Sequence, residues 1–104
     1  MFILVKKVIL DVDTGVDDAQ AIILALRSPE LKVEAITAVS GNAHVDHTSM
    51  NSLKVLELAG AKNIPVAKGM SKPLIREYPS PKPTSHGPTG LAGAVIQPAV
   101  PRRE

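Results

Sequence analysis

Val8-Ile9-Leu10-Asp11-Val12-Asp13-Thr14-Gly15-Val16-Asp17-Asp18-Ala19 compresses a strand, a turn and a helix start into one short stretch. Its first three residues are β-branched and aliphatic without a break, which predicts a strand buried on both faces. Asp11, Asp13, Thr14 and Gly15 then mark a turn, with Gly15 free to bend the backbone sharply. From Asp17 onward the period becomes helical: Ala19, Ile22, Ile23 and Leu26 fall at i, i+3, i+4 and i+7 on one apolar face. Asp17 and Asp18 occupy the first turn of that helix, where carboxylates complement the dipole. Ser28-Pro29 ends it.

The same alternation continues outward. Val33-Glu34-Ala35-Ile36-Thr37-Ala38-Val39 reads as a second strand, closed by Ser40-Gly41-Asn42. A second helix starts near Asp46, carries Met50, Leu53 and Leu56 on one side, and meets a stop signal at Gly60. Ile64-Pro65-Val66-Ala67 reads as a short third strand, with Pro65 at its beginning, where a missing N–H is tolerated. The order β-α-β-α-β over residues 1–69 predicts an α/β fold: a Rossmann-like open parallel sheet with right-handed crossovers. Beyond Gly69 the pattern dissolves, and seven of the nine prolines fall in residues 70–104. Pro79-Ser80-Pro81-Lys82-Pro83 excludes both helix and central strand, so 70–104 is expected to be a Pro/Gly-rich loop or tail of a single domain.

Composition narrows the function classes. The 104 residues suffice for one domain, and 44% hydrophobic against 2% aromatic residues predicts an aliphatic core. Twelve Lys+Arg against ten Asp+Glu leaves a net charge of +2, too small and scattered for a nucleic-acid surface. With no Cys, disulfides, thiol nucleophiles and Cys-ligated zinc are excluded. Met1-Phe2-Ile3-Leu4-Val5-Lys6-Lys7 puts apolar residues before the charges, the reverse of a signal peptide, and no run is long enough to cross a bilayer. A cytoplasmic protein without a membrane partner is the expectation.

The acids carry the chemistry. Asp11, Asp13, Asp17 and Asp18 lie at a strand's C-terminal end and the adjoining helix start, the edge where open α/β sheets bind ligands. Alternation in an extended backbone sends Asp11 and Asp13 to one side, and the helix's first turn brings the other two back toward Asp13. Carboxylates so crowded repel unless a cation or shared protons neutralise them, and an all-oxygen donor set points to Ca²⁺ or Mg²⁺. Capping would explain Asp17 or Asp18 taken alone, and a backbone-bonded strand end would explain Asp11. An EF-hand does not fit, because Gly15, Val16 and Ile22 stand at positions that need a ligand, a Gly and a bidentate Glu. No dinucleotide or Walker A glycine pattern is present.

The acidic stretch closely resembles the N-terminal signature of the inosine-uridine-preferring nucleoside hydrolases, a hydrophobic strand followed by D-x-D-x-G-x-D-D-A. Ala38-Val39-Ser40-Gly41-Asn42 resembles that family's strand-end V-x-G-N. Ala67-Lys68-Gly69 with Lys72-Pro73-Leu74 resembles the approach to its substrate loop, and Ser85-His86-Gly87-Pro88-Thr89-Gly90-Leu91-Ala92-Gly93 resembles its H-G-x-x-G-L-G-G. The resemblance implies hydrolysis of the N-glycosidic bond of a ribonucleoside to ribose and free base. By matching positions, Asp13 and Asp18 would ligate Ca²⁺, and Asp13 would also be the general base. Asp17 would hold the ribose 2′-hydroxyl, Asn42 would help fix water and sugar hydroxyls, and His86 would belong to a loop over the pocket. Asp11 would be a supporting carboxylate. Acids without a neighbouring Lys or Arg suit an oxocarbenium-like transition state. Taken singly, Asn42 also reads as a turn residue and His86 as a solvated loop histidine. His44 and His47 receive no role.

Two other readings stay open at this level. Asp11-Val12-Asp13-Thr14 also resembles the start of the haloacid-dehalogenase-like phosphotransferases, with Asp11 as nucleophile beside Mg²⁺, although Gly15 stands where they expect Thr or Val. A non-catalytic interaction module is the third. Members of the nucleoside hydrolase family are far longer, and their later metal-ligating Asp, ribose 3′- and 5′-hydroxyl ligands and base-release region have no counterpart within 104 residues. The expectation is a truncated or split member, weakly active or inactive alone, whose bare sheet edge favours a homo-oligomer or a second chain supplying the other half. Base preference is not encoded in this stretch.

Overall fold

Strand and helix alternate along the chain as its hydrophobic periods require. The computed structural model describes residues 4–77 and 87–94. It contains β1 (Lys6–Val12), α1 (Val16–Arg27), β2 (Leu31–Ala38), α2 (Val45–Leu58) and β3 (Val66–Lys68). The three strands form one parallel sheet in the order β1-β2-β3. Strands laid down in sequence order by right-handed crossovers put both helices on the same face. Accordingly α1 packs on β2 and α2, and α2 on β2 and β3.

The core lies between that face and the helices and is aliphatic, as the composition requires. Ile22 of α1, Ile36 of β2 and Leu56 of α2 are fully buried, joined by Val33, Val55 and Val66. The other face of the sheet is open among the described residues. β1 is therefore not buried on both faces, as its unbroken apolar run suggested: Val8 and Leu10 are half-buried toward the helices, whereas Ile9 is 64% exposed. Two helices on one side leave the opposite side of an edge strand uncovered.

β2 shows why alternation alone misreads it. Its inward residues are Val33, then Ile36 and Ala38, a change of parity within one strand. A bulge supplies the extra residue: Val8 pairs with Val33 but Ile9 pairs with Ala35, leaving Glu34 unpaired in the register. The slip keeps Leu10 opposite Ile36 and Val12 opposite Ala38, so both strands present apolar residues to the helices along their length.

The helix boundaries follow from local chemistry. Gly15 is the N-cap of α1 in extended conformation (φ −114°), so the bend is made at a negative φ. Ser28 caps the other end, its N–H bonding the Ala25 carbonyl before Pro29. At the start of α2, His44 is the N-cap, and its Nδ1 accepts from the Asp46 N–H at 3.2 Å. Gly60, at φ +75°, terminates α2 in the left-handed region that an L side chain resists. Pro65 precedes β3 and still contributes to the sheet, because its carbonyl accepts from the Ile36 N–H. Pro79, Pro81, Pro83 and His86 lie outside the described residues, so the expected tail is described only in part.

Candidate active site

Parallel strands end together, and here the ends of β1 and β2 meet. Asp13 is the first residue beyond β1, and Asn42 lies in the turn after β2. The Asn42 backbone N–H donates to Asp13 Oδ2 at 2.9 Å, while its side-chain Nδ2 donates to the Asp13 carbonyl at 3.1 Å. Asn42 therefore grips both the carboxylate and the backbone of Asp13. Gly41 makes that approach possible: a Cβ there would lie 2.9 Å from Asp13 Cγ and 3.0 Å from its Cβ, closer than real side chains come.

Asp18 approaches Asp13 from the helix. As the third residue of α1 it reaches back to accept from the backbone N–H groups of Gly15 and Asp13, an arrangement like half a capping box. Capping does not account for the rest of its surroundings. Burial, followed by the adjacent Asp13 carboxylate, pushes the Asp18 pKa above the usual carboxylate range. Its Oδ2 is buried and has no hydrogen-bond partner among the described residues. An orphaned carboxylate oxygen beside a second carboxylate is the donor set a hard divalent cation would fit, so Asp13 and Asp18 are suited to hold one.

Not every acid joins them. Asp11 is exposed on the open face of β1, and its Oδ1 accepts from Thr37 Oγ1 at 2.8 Å, its register partner on β2. Asp11 and Asp13 share parity in the sequence, but β1 ends at Val12 and the chain turns between them. Asp17 is exposed in the first turn of α1. Among the described residues no group of three or more His, Cys, Asp or Glu side chains converges on one point. The crowding expected of four carboxylates is thus a pair, Asp13 with Asp18. His86 lies outside the described residues.

A buried polar layer beneath the turn escaped sequence reasoning. Thr14, Thr48, Ser49, Asn51 and Ser52 are all buried. Thr14 Oγ1 and Ser52 Oγ share a hydrogen bond at 2.6 Å, and Ser52 Oγ also bonds the Thr48 carbonyl. Thr48 Oγ1 donates to the Val39 carbonyl at 2.8 Å, tying α2 to the end of β2. The signal was present in the spacing: 48, 51, 52, 55 and 56 share one helix face, polar in its first half and apolar in its second. Reading only apolar periodicity hides the polar half.

With this geometry in place, comparison with known proteins is specific. A model of the family described as inosine-uridine preferring nucleoside hydrolase matches residues 8–104. The pyrimidine-specific ribonucleoside hydrolase RihA of Salmonella arizonae is 50% identical over 89 residues, covering 86% of this chain and 28% of that protein. The inosine-uridine preferring nucleoside hydrolase of Leishmania major is 41% identical over 93 residues, covering 89% of this chain and 29% of that protein. The solved structure of a purine-preferring ribonucleoside hydrolase from Gardnerella vaginalis superposes with a TM-score of 0.88 at 36% identity, covering 95% of this chain and 32% of that one. The chain spans under a third of the length of these relatives.

Proposed function

The chain belongs to the inosine-uridine preferring nucleoside hydrolase family, and on that premise we propose that it forms the metal- and ribose-binding wall of a calcium-dependent ribonucleoside N-glycosidase. One observation carries the reading: the Asp13–Asp18 pair at the end of β1, with a buried carboxylate oxygen left without a partner. The reaction breaks the bond between the ribose anomeric carbon and the base and adds water to that carbon.

Asp13 and Asp18 would hold the divalent cation, which would supply Lewis acidity that favours deprotonation of water. Asp13, held by Asn42, accepts the proton as water attacks. Asp17, exposed in the first turn of α1, accepts a hydrogen bond from the ribose 2′-hydroxyl. Asn42 orients the Asp13 carboxylate and limits its rotation, and His86 contributes to holding the substrate. The carboxylates stabilise the positive charge that develops on the sugar.

The substrate is proposed as a class. The similar stretch occurs in relatives named for different preferences, pyrimidine-specific in one and purine-preferring in another, so the likeness does not by itself choose the base. The phosphotransferase alternative is not favoured: the matched family is a hydrolase of nucleosides, and Asp11, its required nucleophile, is engaged by Thr37 on the open sheet face. Two carboxylates hold calcium weakly, because affinity follows ligand number. The chain alone is accordingly proposed to turn over nucleosides at trace rates.

Ribose titration with and without calcium tests the reading. Binding that requires calcium and is lost in Asp17→Asn is expected. Ribose binding that ignores calcium, or none at all, contradicts it and favours a non-catalytic module. Rapid release of base from inosine or uridine by the chain alone would overturn the claim of trace turnover.

A further inference from the structure

Asn51 sits in the middle of α2 with only 2% of its surface exposed, yet it bonds nothing on its own helix through its side-chain amide. Its Nδ2 donates to two backbone carbonyls from separate parts of the chain. One is Thr14, between Asp13 and Gly15, at 3.2 Å; the other is Thr89, in the 87–94 segment, at 2.6 Å. The amide nitrogen has two N–H bonds that diverge, so one side chain can serve two carbonyls at once.

The segment is shaped to this contact. Gly90 adopts φ +96°, and a Cβ there would lie 2.8 Å from Asn51 Nδ2 and 3.1 Å from the Thr14 carbonyl oxygen. Only a residue without a side chain lets the segment lie so close. Leu91 then turns inward and is 7% exposed. The Thr14 turn has its own support, since Thr14 Oγ1 bonds Ser52 Oγ and Ser52 bonds the Thr48 carbonyl, with no contribution from Asn51.

We propose that Asn51 is a positioning residue that latches the 87–94 segment onto the turn that joins Asp13 to the helix carrying Asp18. The latch consists of the Asn51 amide and the absent side chain of Gly90, and it makes the order of the segment depend on the turn. Its consequence for substrate rests on the reading of that turn as the cation site; the latch itself does not. Because Ser52 holds the turn separately, losing Asn51 frees the segment while leaving turn and sheet in place. An Asp at position 51 keeps the shape but offers lone pairs to two carbonyls, so it breaks the latch without creating a cavity.

The test is amide hydrogen exchange of the full chain, comparing Asn51→Asp and Gly90→Ala with the unsubstituted protein. Each variant is expected to speed exchange of Ala94, whose N–H bonds the Leu91 carbonyl, by about tenfold or more, and Asn51→Asp that of Gly90 as well, with Val33 and Ile36 in β2 unchanged. The double variant should add little, because both changes break one junction. Unchanged exchange in the segment overturns the latch. A uniform rise across segment and sheet overturns it too, since Asn51 would then serve only overall stability. A second arm adds calcium: exchange in the segment is expected to slow in the unsubstituted chain and not in Asn51→Asp. Absence of calcium binding would sink the cation reading and leave the latch to the first arm.

Discussion

Gly41 lies so close against the Asp13 carboxylate that a single added methyl would fall 2.9 Å from its Cγ. The end of β2 thus acts as a backstop for the end of β1, and the two Asn42 hydrogen bonds close around the same carboxylate. Gly41→Ala is therefore expected to displace Asp13. Overpacking of this kind costs about 1–3 kcal/mol. The decisive readout is differential: thermal unfolding should show a modest loss of stability, while any calcium-dependent rise in Tm should vanish. Retention of the full calcium effect would show that Asp13 does not need this seat.

Asp18 gives the apo protein a pH dependence with a definite sign. Its folded-state pKa is raised, first by burial and then by Asp13. The folded state therefore holds the proton more tightly than the unfolded state. The associated stability is fully present below the ordinary carboxylate pKa and is lost as pH rises through the raised value. Asp18→Asn removes that penalty, so without cation it should unfold at higher temperature than the parent at neutral pH and match it in acid. Calcium should reverse the neutral-pH ranking by stabilising only the parent. Thermal melts across pH, with and without calcium, check both halves.

The core predicts a sharp contrast between two leucines. Leu56 is fully buried beneath the sheet, and Leu24 on α1 is 70% exposed. Leu56→Ala should cost about 2–5 kcal/mol, enough to unfold much of a small domain, whereas Leu24→Ala should change stability by roughly 0.5 kcal/mol or less. Urea titrations of the two variants measure the difference.

β1 is an edge strand among the described residues, and Ile9 projects from its uncovered face at 64% exposure. Unpaired backbone groups beside an exposed apolar side chain favour self-association. Ile9→Lys should lower any association measured by sedimentation at high concentration with little change in Tm. Association that persists unchanged would place the contact elsewhere.

The elements that were legible in the sequence are those governed by local chemistry. Ala19, Ile22, Ile23 and Leu26 announce α1, Gly60 its counterpart's end, and the polar stretch from Asp11 to Gly15 the turn between β1 and α1. What was not legible depends on partners distant in the chain. The bulge at Glu34 exists because Val33 and Ile36 must face the same helices, a demand that no window of β2 expresses. Ile9 and Leu10 look alike in the sequence, and only the placement of both helices on one face separates them. Asp11 parts from Asp13 because β1 stops at Val12 and Thr37 stands across from Asp11. The polar face of α2 was hidden for a similar reason, since Thr48, Asn51 and Ser52 acquire their partners from residues 14, 39 and 89.

Calorimetric titration of calcium into the chain, beside Asp13→Asn and Asp18→Asn, addresses the cation site most directly. Weak but saturable binding that releases protons from the parent near the raised Asp18 pKa, and disappears in both variants, is the predicted result. Heats that are indistinguishable among the three proteins would mean that these two carboxylates share a corner of the fold without holding an ion.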